Sequence, residues 1–569
     1  MDTSRIRVER TGVVVGIQTI PARIRTAPHA LAAARARWFW PRALLAIIVA
    51  GAGLRAVLWP VAVQRPLIGD DASYAWQALR LLAGDWPAAV GQVFPPGYAV
   101  TIALASPLTG GDLAAAAYLV SVLASLLLIP VLFYLTRPLY GERVALLAAF
   151  LAAIYPRFLE MGLTPLSEML YTLLLASALF LTLALLGAIQ RGRRVLLWGV
   201  ATGALVGAAY LTRPEGLVYL GPIGLLVLLA AAAHNRWKDA LLAGTGLALG
   251  LAPLLLPYVL YLHSQLGQWT ISGKLGNLAQ GTLMTRGADL EAAFYRLTPD
   301  GTRLIVDSPE MAQNYPVSIR EFVAHYTRNL YDEQMFLVQV LPLPVLLVTF
   351  LGWLLGLRRR HHWLAWLTLS SFVLVYVLLY PAFFLYTRYF VPFVALVIPW
   401  LALGTVALER YLPRIPALDG HAGLRRLYRS APVLGVTLVL LVVAGAYRVT
   451  AQRQPTWEAT VAAGRWLTDN GHSAARVMAV HGAALSFYGR LHEYALMTPY
   501  ADYPDLLRYA RYRDVAFLVV EERFLATRPT FGALLDWRHP PPGLQPVFWL
   551  DRRDGNAVVI YAVQSTAGE

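Results

Sequence analysis

Apolar residues along this chain come in unbroken runs, not in alternation with polar ones. The runs fall near 43–63, 112–136, 143–159, 166–189, 195–212, 216–233, 239–262, 336–357, 363–381, 385–407 and 431–447. Most approach the ~20 residues that a helix needs to cross a hydrocarbon core about 30 Å thick. A helix satisfies its own backbone groups in lipid. The other solution, a closed barrel, needs strands of alternating polarity, which these runs lack. The pattern therefore predicts an α-helical polytopic membrane protein with roughly 11 spans.

Three long stretches break the apolar pattern, at 64–111, 263–335 and 448–569. Within the last, 457–468 has helical periodicity, and 476–481, 515–521 and 557–563 read as short strands, which predicts a small α/β domain. The expected organisation is a basic tail over 1–42, a membrane domain over 43–447 with loops at 64–111 and 263–335, and the α/β domain over 448–569. No internal repeat is visible, which disfavours a transporter built from inverted repeats.

Composition removes the soluble alternative. Mean hydropathy is +0.53 and only 14% of residues are charged, against about 25% in soluble domains. The net charge of +15 reflects topology and is no sign of a nucleic-acid partner, because it is placed as the positive-inside rule requires. Residues 1–42 hold eight arginines. Alternate loops hold Arg137 and Arg143; Arg191, Arg193 and Arg194; Arg236 and Lys238; Arg358, Arg359 and Arg360; and Arg410, Arg414, Arg425, Arg426 and Arg429. The short connections on the other face carry only Arg157, Arg213 and Arg388. This asymmetry, with an odd number of spans, predicts a cytoplasmic N-terminus and an extracytoplasmic C-terminal domain. The chain has no cysteine, hence no disulfide and no thiolate ligand.

Candidate chemistry lies on the outer side. The loop GDDASYAWQALRLLAGDWPAAVGQVFPPGYAV has apolar positions at Tyr74, Ala75, Ala78, Leu79 and Leu82, the stripe of a helix lying along the membrane surface with its apolar face down. Asp70 and Asp71 stand at its start, where a carboxylate caps free N–H groups or accepts a proton from a nucleophile. Pro95, Pro96 and Gly97 then break the chain before Tyr98. Glu160 and Ser167-Glu168 follow on the next outer turn; facing the first-loop acids, they could position a substrate hydroxyl or hold a hard divalent cation. Arg213 and Arg388 either snorkel at the membrane edge or clamp an anionic phosphate, which would come on a lipid. His263 and Lys274 are further polar groups of the long loop. Gly203/Gly207 and Gly246/Gly250 have the small-xxx-small spacing of close helix pairs. There is no phosphate-binding glycine loop and no HExxH, and His361-His362 sits in a basic inner loop.

Together the acid pair within GDDASYAWQALRLLAGDW, the PPGY that follows, PLSEMLYTLLLA (165–176), YLTRPEG (210–216) and YTRYFVPF (386–393) resemble glycosyltransferase family 39 in order and spacing, over about residues 43–400. That family includes protein O-mannosyltransferases and lipid A aminoarabinose transferases. The resemblance implies a GT-C membrane glycosyltransferase that moves a sugar from a polyprenyl phosphate to an acceptor hydroxyl on a glycan, lipid or protein at the outer face. It implies Asp70 as base, and Arg213 and Arg388 as donor-phosphate contacts. Many members have Asp-Glu where this chain has Asp70-Asp71. Two other classes stay open: a transporter or flippase of lipid-linked sugars, and a non-catalytic subunit of an envelope assembly.

Overall fold

The computed structural model of the chain describes residues 27–91, 93–273, 290–307, 318–358, 363–382, 386–411, 431–451, 457–551 and 556–564. Most of the basic tail, Lys274, Arg359, Arg360, the His361-His362 pair, Arg414, Arg425, Arg426 and Arg429 lie outside these residues.

The apolar runs fold as packed helices. In chain order they begin with α1 (Ala27–Ala62), the shorter helices α2 (Asp70–Leu82), α3 (Trp86–Ala89) and α4 (Gly97–Ala105), and then α5 (Leu113–Tyr140) and α6 (Glu142–Ile154). Next come α7 (Pro156–Gly162), α8 (Ser167–Arg191), α9 (Val195–Thr212), α10 (Leu220–His234) and α11 (Trp237–Leu266). After the short α12 (Leu290–Phe294) follow α13 (Ile319–Val340), α14 (Leu343–Leu357), α15 (Trp363–Leu379), α16 (Val391–Tyr411) and α17 (Ala431–Ala451). Among the described residues, eight helices are long and apolar enough to span a membrane, or ten if each of two bent pairs is one span.

The first of these bends has a clear physical cause. Between α6 and α7 the axis turns 51°, where Pro156 opens α7 and cannot continue the hydrogen-bond ladder of α6. The end of α6 is capped from another helix. The buried Arg55 donates to Ala153 O and to Gly51 O, each at 3.1 Å, and its Nε to Ser125 Oγ at 2.6 Å. A cation suits the negative end of a helix. The second bend, 98° between α13 and α14, corrects the sequence expectation. The stretch 318–335, read as loop, is most of a helix that starts with a Ser318–Glu321 capping box. Ile319, Val323, Tyr331 and Met335 form its exposed apolar side, so half its positions are polar and no unbroken run marks it.

The predicted glycine contact holds. A Cβ on Gly203 would collide with Leu247 O and one on Gly250 with Val200 O, so α9 and α11 meet backbone to backbone.

The C-terminal segment forms α18 (Glu458–Asp469), β1 (Val477–Ala479), α19 (Gly482–Tyr488), β2 (Leu496–Met497), α20 (Tyr503–Tyr512), β3 (Phe517–Glu521), β4 (Leu544–Leu550) and β5 (Val558–Val563). The sheet order is β2-β1-β3-β5-β4; β1 runs parallel to β2 and β3, and β5 antiparallel to β3 and β4. β2 and β4 join the three strands expected from the sequence.

This unit sits on α2. Trp76 Nε1 donates to Leu491 O at 2.8 Å, the Ser73 and Tyr494 hydroxyls meet at 3.0 Å, and Leu67 N donates to the Tyr488 hydroxyl at 3.0 Å. From below, the Tyr74 ring stands edge-on to Tyr98, 5.0 Å between centroids, and Tyr98 is bonded to Ala117 O and Ser121 Oγ on α5, each at 2.9 Å. The PPGY turn thus anchors α2 to the bundle. Residues 72–78 are buried on every side, so α2 is a sandwiched helix and does not float with its apolar face on the bilayer.

Candidate active site

The two aspartates at the head of α2 have different jobs. Asp71 Oδ1 accepts from the backbone N–H of Ile68, Gly69 and Ala72, at 3.1, 2.7 and 2.9 Å. It locks the turn that starts the helix. Burial pushes its carboxyl up, against the opposing pull of those three donors. The structure therefore corrects the expectation that both acids face the site. Asp70 alone points outward, and its Oδ2 accepts from an Arg388 Nη2 at 2.8 Å.

From that pair a line of alternating charges runs inward. Arg388 Nε lies 3.4 Å from Glu168 Oε1, and Arg213 Nη1 lies 3.1 Å from the same oxygen. Arg213 Nη2 then reaches Glu215 at 3.5 Å. Side-chain exposure is 38% at Asp70 and 30% at Arg388, reaches its minimum of 4% at Glu168, and is 8% at Arg213 and 17% at Glu215. The network thus opens at Asp70 and closes at Glu168. The Tyr389 ring stacks with both guanidinium groups, 4.8 Å from Arg213 and 5.4 Å from Arg388. Tyr74 donates to Ser167 Oγ at 3.1 Å, tying α2 to the head of α8 beside Glu168.

Five elements thus bring Asp70, Glu168, Arg213, Glu215 and Arg388 together. Glu160 is not among them. Its Oε2 is 2.9 Å from Arg157 Nη1 and 3.6 Å from Arg448 Nη1, in a separate group near α7. The snorkelling reading fails for Arg213, which is buried, and Arg388 is held by Asp70 and Glu168. The divalent-cation expectation does not fit either. Arg388 stands between Asp70 and Glu168, and among the described residues no cluster of three or more His, Cys, Asp or Glu gathers for a metal. His263 is stacked on Trp269, 4.0 Å between ring centroids.

Sequence reasoning missed what the C-terminal unit adds. The charge of Asp70 reaches both His481 and Tyr494. Burial lowers the His481 imidazole while Asp70 pulls it the other way. His481 also packs against Trp457, 5.4 Å between ring centroids, and Arg523 lies 4.0 Å over the same indole. No local signal ties these residues to a helix that begins at position 70. Tyr389 was within reach, since it stands beside Arg388 in YTRYF.

A family model described as dolichyl-phosphate-mannose-protein mannosyltransferase matches residues 94–261. Among solved structures, the oligosaccharyltransferase AglB from Archaeoglobus fulgidus, in complex with an inhibitory peptide and a dolichol-phosphate, superposes with a TM-score of 0.56 at 13% identity, covering 86% of this chain and 70% of that one. ArnT from Cupriavidus metallidurans, bound to undecaprenyl phosphate, superposes with a TM-score of 0.53 at 18% identity, covering 92% and 99%. Comparison with curated proteins finds no match. The fold is that of the GT-C membrane glycosyltransferases, and the chain resembles their protein mannosyltransferase and ArnT branches.

Proposed function

We propose that this protein is a glycosyltransferase that takes a sugar from a polyprenyl-phosphate donor and transfers it to an acceptor hydroxyl, with Asp70 as base. The observation that carries the reading is the pairing of Asp70 with Arg388 at the open end of a buried acid–arginine line. Similarity to proteins solved with dolichol-phosphate and undecaprenyl phosphate supports a lipid-linked donor.

The chemistry follows from the contacts. A donor phosphate is a stronger partner for an arginine fork than a half-exposed carboxylate, and it competes with Asp70 for Arg388. Asp70, released, accepts the acceptor's proton as its oxygen bonds to the anomeric carbon. The bond from that carbon to the phosphate oxygen breaks, and Arg388, held by Glu168, offsets the charge that grows on the leaving phosphate. Arg213 holds Glu168 from the far side. The described loop arginines sit at the opposite end of the bundle, with Arg191 at the far end of α8 from Glu168 and Arg143 meeting Glu409 at 2.6 Å, and this charge bias supports a site on the extracytoplasmic face of the inner membrane.

The test is transfer from a panel of radiolabelled polyprenyl-phosphate sugars in membranes holding the wild type or Asp70→Asn. Transfer by the wild type alone, with equal amounts of folded protein, is the expected result. Absence of transfer from every donor, with lipid-linked sugar crossing the bilayer instead, would replace this reading with a flippase.

A further inference from the structure

The group around Glu160 has the opposite charge balance to the site at Asp70. There, three carboxylates face two arginines. Here, Arg157 and Arg448 share one Glu160 oxygen, at 2.9 and 3.6 Å, and Arg65 lies within electrostatic reach of the same carboxylate. Arg157 is only 7% exposed, and its Nε is buried with no hydrogen-bond partner among the described residues. Among the described residues Arg157 and Arg448 thus share one carboxylate, and partly buried positive charge is costly unless an anion completes it.

The fold builds this group deliberately. The break at Pro156 places Arg157 and Glu160 on one turn of α7. α17 comes close enough to bring Arg448 because Gly445 has no side chain; a Cβ there would lie 2.6 Å from Leu159 Cδ1. Arg65 follows the end of α1. Behind them an apolar cluster that includes Leu67, Ala72, Ala75, Leu163 and Val449 packs against α2. On α1 the side chains of Val57 and Val61, and on α17 those of Val443 and Tyr447, are exposed. Exposed apolar side chains on spanning helices suit acyl chains, and Arg448, 36% exposed beside Tyr447, is the kind of cation that meets headgroups at a helix end.

We propose that Arg65, Arg157 and Arg448 form a second anion site, open to the bilayer, that takes the phosphate of an anionic lipid headgroup. Arginine forks match phosphate oxygens, and Glu160 orients two of the three arginines for that ligand. The phosphate belongs to a bilayer phospholipid or to a polyprenyl phosphate, and the site does not depend on the transfer reaction.

Native mass spectrometry of the full chain in detergent tests it, with phosphatidylglycerol, undecaprenyl phosphate or phosphatidylcholine supplied in turn. An anionic-lipid adduct that phosphatidylcholine does not give is expected, and Arg448→Gln should weaken it about tenfold, the loss of one charged hydrogen bond. Arg448→Gln leaves Arg157 on Glu160, so the fold is kept; Arg388→Gln should leave the phosphatidylglycerol adduct intact. The lipid whose adduct Arg448→Gln weakens and Arg388→Gln spares assigns the site, phosphatidylglycerol to bilayer lipid and undecaprenyl phosphate to a prenyl carrier. Equal adducts in the wild type and in an Arg65→Gln/Arg448→Gln double variant, for both anionic lipids, would overturn the proposal.

Discussion

Asp70 and Arg388 stand 318 positions apart in the chain and 2.8 Å apart in space. Each is between 30% and 38% exposed, so the pair has access to ligands while its next neighbour, Glu168, has almost none. Exposed ion pairs contribute roughly 0–1 kcal/mol, which makes this one easy to exchange. Asp70→Asn should therefore leave the melting temperature nearly unchanged and lower transfer by about 10²–10⁴-fold, the usual contribution of a general base. A rate loss that merely follows a loss of folded protein would argue against the assignment.

Asp71→Asn should do the reverse. It weakens a carboxylate that holds three backbone N–H groups, and the cost of losing such a cap is about 1–2 kcal/mol. Thermal unfolding in detergent should show a lower midpoint, and the folded fraction should retain more transfer than Asp70→Asn. Matching kinetic losses in the two variants would mean that both acids act at the site.

Removal of Arg213 leaves Glu168, which is 4% exposed, with only the longer contact to Arg388 Nε at 3.4 Å. Breaking a buried pair by deleting one partner costs roughly 3–5 kcal/mol. Arg213→Ala is thus expected to yield little folded protein, and Arg213→Ala with Glu168→Leu to recover much of it. Yield and unfolding midpoint of the two variants, measured side by side, decide the matter.

Glu521 gives a pH prediction within the sheet domain. Burial raises its carboxyl to about 6, while the Thr460 hydroxyl and Arg523 pull the other way. The fold disfavours the charged form, so the linked stability is complete below the ordinary 4.5 and lost as pH rises through about 6. Glu521→Gln should stabilise the protein by about 2 kcal/mol near pH 7.5 and by little near pH 4.5. Heat scans at both pH values should show a gain at the higher one only; an equal gain at both would exclude the charge as its source.

What the sequence made legible was whatever follows one period. The spans were visible because lipid allows no polar interruption, and Gly203 and Gly250 because backbone contact allows no Cβ. α13 stayed hidden because its apolar side is interleaved with Arg320, Arg328 and Glu333, so a search for unbroken runs passes over it. β4 was missed because Pro546 sits at its bulge, and an edge strand is where proline is tolerated. At the site, Asp70, Glu168, Arg213 and Arg388 stood out as polar groups at membrane edges. The split between Asp70 and Asp71 could not be read, since both are acids at one helix start and only the turn geometry tells them apart. Glu160 was drawn to the wrong group because eight residues from Glu168 looks close, yet α7 turns it toward Arg157.

α2 is held from below by Tyr98 and from above by Leu491 and Tyr494. The ribosome makes the lower support, at Tyr98, long before the upper one, at Leu491 and Tyr494. Over that interval the helix that carries Asp70 lacks its cover. Competence thus waits for the sheet domain, and a chain truncated before position 482 would insert its spans yet carry an unfinished centre.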